Sequence, residues 1–83
     1  SPRMMLLDEP SEGLAPIIVE QIADLLMKLK SAGMTMLLVE QNFALATQVA
    51  DRAVVLGKGR VRWSGPCDAL KAEDDVRHTW LGV

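Results

Sequence analysis

The sequence predicts an α/β fold in which parallel strands alternate with helices, followed by a β-hairpin and short terminal helices. Three observations support this prediction. Two apolar runs without alternation, at residues 4–7 and 35–39, each lead into acidic or amide residues, as buried strands of a helix-covered parallel sheet do. An amphipathic stretch that begins at Pro16 separates these runs. A glycine-flanked turn at residues 57–59 joins two further strand-like segments.

The first half of the chain is predicted to be a strand, a long helix, a second strand and a short helix. The first strand is expected to be buried on both faces and to stop at Pro10. Pro16 suits the first position of the long helix, and Gly33 suits the position just past its end. Asn42 can cap the short helix, which is expected to run through Ala50. The inner face of the long helix is expected to consist of Ile18, Ile22, Leu25, Leu26 and Leu29.

The second half is predicted to begin with a hairpin of strands 53–56 and 60–64, joined through the turn at residues 57–59. A short helix is expected from Pro66 through Lys71, and a last helix from the acidic run at residues 73–75 to about Leu81. Because strand and helix alternate through short connections, the parallel units should be right-handed. In such sheets the functional residues gather at the carboxyl ends of the strands.

Composition excludes several classes of protein. The net charge of −2 gives no electrostatic footprint for nucleic acid, and the nearest basic group (Lys58, Arg60 and Arg62) is expected to be solvated. The single cysteine, Cys67, cannot form an internal disulfide and fits a reducing compartment. No apolar run approaches the roughly 18 residues of a membrane-spanning helix. A chain of 83 residues that is 49% hydrophobic is expected to turn much of its apolar surface toward further protein.

Acidic residues follow the first apolar run as Asp8-Glu9, a pattern with two interpretations. A buried strand can hold one carboxylate beside a magnesium–phosphate centre and aim the next at an attacking water molecule. Apolar strands that end in a solvated acidic turn are also common, so this short run leaves the choice open.

A longer comparison of motifs is more specific. Residues 6–16 (Leu-Leu-Asp-Glu-Pro-Ser-Glu-Gly-Leu-Ala-Pro) resemble the Walker B segment and D-loop of ATP-binding-cassette (ABC) ATPases. Residues 37–42 (Leu-Leu-Val-Glu-Gln-Asn) lie where that family has its switch strand and H-loop, and residues 57–60 are similar to its later hairpin. The resemblance covers essentially all 83 residues in the right order. It implies that residues 1–83 are a C-terminal fragment of one nucleotide-binding domain, with a partial P-loop NTPase (RecA-like) three-layer core.

The resemblance also implies roles for individual residues. Asp8 would hold Mg²⁺, through a water molecule, and Glu9 would be the general base that polarises the water attacking ATP. The D-loop, which in the family crosses the dimer interface to the opposite subunit's nucleotide, would be formed by Ser11, Gly13, Leu14 and Ala15. Gly13 also suits a loop position that requires unusual backbone angles.

Gln41 is a departure from the family pattern, which usually has histidine at the switch position in contact with the γ-phosphate. Glutamine offers an amide donor and an acceptor, but it cannot carry a charge or shuttle a proton. Two interpretations remain open: a working substitute, or a weakened site that relies on a partner subunit. The only histidine, His78, falls in the terminal helix and is expected to be a surface or packing residue.

The 83 residues contain no G-x-x-x-x-G-K-[ST] phosphate loop, Q-loop or Leu-Ser-Gly-Gly-Gln motif. The fragment alone is therefore expected to have no ATPase activity. In the family, the strand that leads to the phosphate loop lies between the strands here predicted at residues 35–39 and 53–56. Without it, two strand edges are unpaired, so we expect a swapped or intertwined oligomer or a rearranged sheet.

The Glu-Gln-Asn turn and the Leu-Gly ending most resemble ATPase subunits of branched-chain amino-acid importers. This implies a cytoplasmic subunit on the inner face of the plasma membrane. Its expected partners are a second ATPase subunit, permease subunits in the membrane and, indirectly, a solute-binding protein. The alternatives are a non-hydrolysing interaction module, the ATPase of another ABC system such as lipopolysaccharide export, and a DNA-repair or translation ATPase.

Overall fold

The structure is a computed structural model that describes residues 4–83. Its helices and strands follow the predicted order, which confirms the α/β fold. They are β1 (Met4–Asp8), α1 (Pro16–Ser31), β2 (Thr35–Val39), α2 (Phe43–Val49), β3 (Arg52–Gly57), β4 (Arg60–Pro66), α3 (Cys67–Lys71), α4 (Asp74–Val76) and a π-helical turn (Arg77–Leu81). The chain divides into two compact units, one up to Val49 and the other from Ala50 onward.

The first unit is built on a parallel pair of strands. In the ladder between β1 and β2, Leu6 lies opposite Leu37 and Asp8 lies opposite Val39. The two strands therefore end side by side, and the segments that follow them start at the same edge of the sheet. This register is what brings the predicted site residues of the two segments near one another.

The core of the first unit lies between one face of this sheet and helices α1 and α2. Its buried residues are Ala23, Leu26, Leu45 and Val49. Leu7 of β1 and Met36 of β2 pack against this cluster from the sheet. Lys30 lies in the last turn of α1, and its Nζ donates a hydrogen bond of 3.0 Å to the carbonyl oxygen of Val49, the last residue of α2.

The predicted inner face of α1 is partly wrong. Leu26 is buried, and Ile22 and Leu29 are partly buried, but Leu25 is 55% exposed and Ile18 is 40% exposed. At about 100° of rotation per residue, the buried stripe is centred near Ala23 and Leu26, so Ile18 and Leu25 lie on its flank. Apolar spacing alone does not distinguish the centre of such a stripe from its edge.

The expectation that the strands are buried on both faces is also wrong for the described residues. Side chains alternate along each strand, and the face opposite the two helices is open. The exposed fractions on this face are 69% for Met4, 66% for Leu6, 53% for Leu37 and 47% for Val39. The described residues of this unit thus form two of the three expected layers, namely the sheet and one layer of helices.

The second unit contains the predicted hairpin. Strands β3 and β4 are antiparallel, with a bulge next to Val55. The turn between them has positive φ at both Lys58 (51°) and Gly59 (73°), the conformation that matches the twist of a two-residue hairpin. Lys58 and Arg60 are exposed, as expected. Arg62 differs, because its guanidinium lies 4.3 Å from the centre of the Trp80 ring and its Nε donates to a backbone oxygen.

The terminal helix predicted from residue 73 to about Leu81 is present over residues 74–81, but its hydrogen bonding changes from α to π after Val76. α4 is followed directly by the π-helical turn, and Gly82 then adopts a left-handed φ of 69°. The Val83 N–H donates to the carbonyl oxygen of Arg77 at 3.2 Å, which closes the turn. His78 is exposed, as predicted for a surface residue. Among residues 4–83, no helix has both the length and the apolar character needed to cross a membrane.

Candidate functional site

The site lies where β1 and β2 end. The Glu9 N–H donates a hydrogen bond of 2.6 Å to the carbonyl oxygen of Val39, which extends the contact between the two strands by one residue. The chain then leaves the sheet in a turn, because the Glu12 N–H donates back to the carbonyl oxygen of Glu9 at 3.1 Å. The loop after β1 is thus held beside the turn after β2.

The backbone of this loop has unusual angles at two positions. Glu9 has a φ of +49°, in the left-handed region that non-glycine residues seldom occupy. Such conformations cost on the order of 1–2 kcal/mol and cluster at functional sites. Gly13 has a φ of +73°, which confirms the prediction that this position requires unusual angles.

An open cleft of about 340 Å³ lies between the loop after β1 and the turn after β2. All the residues that line it are of polar or charged type, namely Glu9, Ser11, Glu12, Glu40, Gln41 and Asn42. Glu9 and Gln41, the two predicted catalytic residues, therefore both line the cleft, although they are far apart in the sequence. The ladder between the parallel strands accounts for this proximity.

Glu9 has an unusual electrostatic environment. A hydrogen bond with the side chain of Glu12 and the negative charge of that residue raise the pKa of Glu9 above its usual value. Partial burial and the charges of Asp8 and Glu40 act in the same direction. A raised pKa makes a carboxylate a stronger base, which suits a residue that removes a proton from water.

Glu40 connects the two segments that form the cleft. Its Oε2 accepts a hydrogen bond of 3.2 Å from the Ser11 N–H. Its Oε1 accepts hydrogen bonds of 3.0 Å from the N–H groups of Gln41 and Asn42. Burial alone would raise the pKa of Glu40, but these hydrogen bonds, with one from the Ser11 hydroxyl, stabilise its charged form and lower the pKa overall.

Asn42 caps helix α2, as predicted. Its Oδ1 accepts a hydrogen bond of 3.0 Å from the Leu45 N–H, which satisfies one of the free donors at the helix N-terminus. Gln41, the residue before the cap, is exposed, and its amide can donate to or accept from a group bound in the cleft.

The structure brings together only some of the predicted site residues. Glu9, Ser11 and Gln41 line the cleft, whereas Asp8 and the D-loop residues Gly13, Leu14 and Ala15 do not. The side chain of Asp8 follows Met4 and Leu6 along β1 and is exposed, as they are. Ser11 is a buried polar residue, with 8% of its surface exposed, and its N–H donates a hydrogen bond to Glu40.

Three cleft residues were given no specific role from the sequence, namely Glu12, Glu40 and Asn42, although Glu40 lies at a strand end where functional residues were expected. Glu12 occupies a variable position of the D-loop pattern, so no motif identified it. Glu40 does carry a sequence signal, because it is a carboxylate at a strand end, directly before two N–H groups at a helix start. Such N–H groups need an acceptor, and a neighbouring carboxylate is a suitable one.

The donor atoms are compatible with Mg²⁺ but do not form a complete site. Within residues 4–83, no group of three or more histidine, cysteine, aspartate or glutamate side chains converges on one point. Mg²⁺ in nucleotide sites is usually held by one or two carboxylates, together with phosphate oxygens and water. The exposed Asp8 carboxylate at the end of β1 fits such a partial ligand set.

Comparisons with known proteins agree with this architecture. No protein-family model matches the chain. The high-affinity branched-chain amino acid transport ATP-binding protein BraG of Pseudomonas aeruginosa is 47% identical over 81 residues, covering 98% of this chain and 35% of the relative. The phosphonates import ATP-binding protein PhnC of Trichormus variabilis is 39% identical over 88% of this chain and 30% of the relative.

A solved structure gives the same result. CbiO1 of Clostridium perfringens, described as part of the ABC transporter complex CbiONQ, matches with a TM-score of 0.75 and 29% identity over 94% of this chain. That match covers 33% of CbiO1, and the chain likewise spans about a third of the length of the curated relatives it matches. The near-complete coverage of the chain, together with the shared fold, shows that it belongs to the ATP-binding proteins of the ABC family.

Proposed function

We propose that this chain is the C-terminal part of a nucleotide-binding domain and carries the hydrolysis residues of an ABC-type ATPase subunit. The full protein would hydrolyse ATP to drive solute import across a membrane. The observation that carries this proposal is the polar cleft shared by Glu9 and Gln41. The names of the relatives, which are transport ATP-binding proteins, support the same function.

In this proposal Glu9 is the general base. Its left-handed backbone conformation and the hydrogen bond from its N–H to Val39 fix the position of its Cα atom and the direction of its side chain. Glu12 raises the pKa of Glu9 and so strengthens it as a base. The attacking water molecule would give its proton to the Glu9 carboxylate as it approaches the γ-phosphate of ATP.

Gln41 would position the γ-phosphate or the attacking water. Its exposed amide can donate to a phosphate oxygen through its NH₂ group and accept from water through its oxygen. The carboxylate of Asp8 would hold Mg²⁺ through a water molecule. When bound, Mg²⁺ would neutralise charge that develops on the phosphate oxygens.

The D-loop residues Gly13, Leu14 and Ala15 would contact a second ATPase subunit. They are exposed and lie outside the cleft, which leaves them accessible to another chain. Permease subunits and, indirectly, a solute-binding protein would be the other partners. The transport names of the relatives support a position on the cytoplasmic face of the membrane.

Branched-chain amino acids are the solutes we propose. BraG supports this choice at 47% identity, and so does the LivF protein of Archaeoglobus fulgidus at 35% identity over 96% of this chain. Relatives named for phosphonate import and lipopolysaccharide export define the competing choices. Uptake of radiolabelled leucine should fall when the natural gene is deleted, whereas unchanged leucine uptake with lost phosphonate uptake would favour the competitor.

Replacing the base tests the proposed reaction. In the full protein that carries this chain, Glu9→Gln should abolish steady-state ATP hydrolysis and leave ATP binding intact, because glutamine cannot accept the proton. Glu20→Gln is the matched control, since Glu20 is exposed on α1 and outside the cleft. Unchanged hydrolysis by the Glu9→Gln variant would refute the role of Glu9.

A further inference from the structure

We infer that Glu40 is a positioning residue that locks the loop after β1 to the turn after β2, and thereby holds Gln41 and Glu9 in a hydrolysis-competent arrangement. The expected effect of Glu40 on ATP hydrolysis rests on the proposed ATPase function, whereas its role in holding the two segments together does not. It assigns Glu40 no contact with nucleotide. Its role is to act through the backbone of the residues that face the cleft.

The first argument is the geometry of the carboxylate. One oxygen of Glu40 accepts from the Ser11 N–H at 3.2 Å, across 29 residues of sequence. The other oxygen accepts from the Gln41 and Asn42 N–H groups at 3.0 Å each. A single side chain therefore ties both walls of the cleft together.

The second argument is that these donors need an acceptor of this kind. The Asn42 N–H lies at the start of α2, where the first N–H groups of a helix have no partner within the helix. The Ser11 N–H belongs to a buried residue, and an unsatisfied buried donor is costly. Glutamine has one acceptor oxygen and cannot serve both walls, whereas aspartate is shorter by one methylene group.

The third argument concerns what the lock controls. Gln41 follows Glu40 directly, so the hydrogen bond at its own N–H orients the backbone from which its side chain enters the cleft. On the other wall, Ser11 lies two residues after Glu9, whose own N–H is held by Val39. Releasing the carboxylate would free Ser11 and Gln41 together and leave β1 and β2 paired.

Amide hydrogen exchange tests the lock itself. In the full protein, Glu40→Ala should lower the protection of the Ser11, Gln41 and Asn42 amides by about tenfold or more, as expected when a hydrogen bond to a charged acceptor is lost. Glu40→Gln, which keeps the shape and one acceptor, should give a smaller loss and guards against a Glu40→Ala variant that does not fold. Glu20→Gln should change none of the three amides.

Steady-state kinetics test the consequence. We expect the Glu40→Ala variant to lose about tenfold or more in kcat with KM for ATP within about twofold of wild type, because the lock orients hydrolysis residues without binding nucleotide. Glu40→Gln should fall between Glu40→Ala and wild type. A merely structural role would instead lower protection throughout the unit and reduce the amount of folded enzyme.

Two results would overturn the inference. Protection of the three amides within about twofold of wild type in Glu40→Ala would show that the carboxylate does not hold the loops. Lost protection with unchanged kcat would show that the lock does not govern hydrolysis. If the wild-type protein hydrolyses no ATP, the proposed function fails, but the exchange measurement still decides whether Glu40 forms the lock.

Discussion

Gly57 lies against the face of Trp80 in the second unit, and replacing it with alanine should destabilise this unit. A Cβ atom at Gly57 would lie 2.4 Å from Cε3 and 2.8 Å from Cζ3 of the Trp80 ring. Carbon atoms in contact are usually separated by about 3.5–4.0 Å, so the ring would have to retreat by about 1 Å. That movement would also disturb Arg62, whose guanidinium lies 4.3 Å from the centre of the ring and whose Nε donates to the Gly57 oxygen at 2.9 Å.

The expected cost follows from these contacts. Inserting a methyl group into a packed site costs about 1–3 kcal/mol. Losing the contact between Arg62 and Trp80 costs about 0.5–1 kcal/mol at a partly exposed position. Because Trp80 is only partly buried and can adjust, we expect Gly57→Ala to destabilise the unit by about 2 kcal/mol.

A double-mutant cycle with Trp80→Leu isolates the cause, with unfolding free energies measured by urea titration. Gly57 does not have a positive φ, so alanine brings no backbone strain there. In the Trp80→Leu background, Gly57→Ala should be neutral or stabilising by up to about 1 kcal/mol, because alanine loses less backbone entropy than glycine on folding. An equal destabilisation in both backgrounds, within about 0.5 kcal/mol, would refute a clash with Trp80.

Three further predictions concern the first unit. Glu12→Gln should move the acid limb of the kcat–pH profile to lower pH. Glu12 raises the pKa of Glu9, so without the Glu12 carboxylate Glu9 loses its proton in more acidic solution. An acid limb that does not move would contradict this reasoning. Leu26→Ala should cost about 3 kcal/mol in urea unfolding, and Leu25→Ala less than about 1 kcal/mol, because only Leu26 is buried in the core; equal costs would contradict the placement. Gln41→His should retain or raise ATPase activity, and a large loss would mean that glutamine is specifically required.

The sequence predicted some residues of the candidate site correctly and gave no role to others. Motif order identified the residues after β1 and β2, and Glu9 and Gln41 indeed share one cleft. The same motifs grouped Asp8 with Glu9, although neighbouring residues at a strand end point in different directions and only Glu9 lines the cleft. Motif comparison covered Glu40 but assigned it no role, because its contribution is a set of hydrogen bonds to backbone N–H groups.

The order of strands and helices and the ABC family could be predicted from the amino-acid sequence, and its motifs also indicate candidate hydrolysis residues. These properties depend on local periodicity, turn-forming residues and short motifs, each of which involves residues that are close together in the sequence. Tertiary packing sets which apolar faces are covered, as Leu25 and Leu26 demonstrate by differing in burial despite being adjacent and identical in type. It also decided that Ser11 and Gln41 meet through Glu40, because side-chain contacts across 29 residues arise only once two parallel strands are aligned in register.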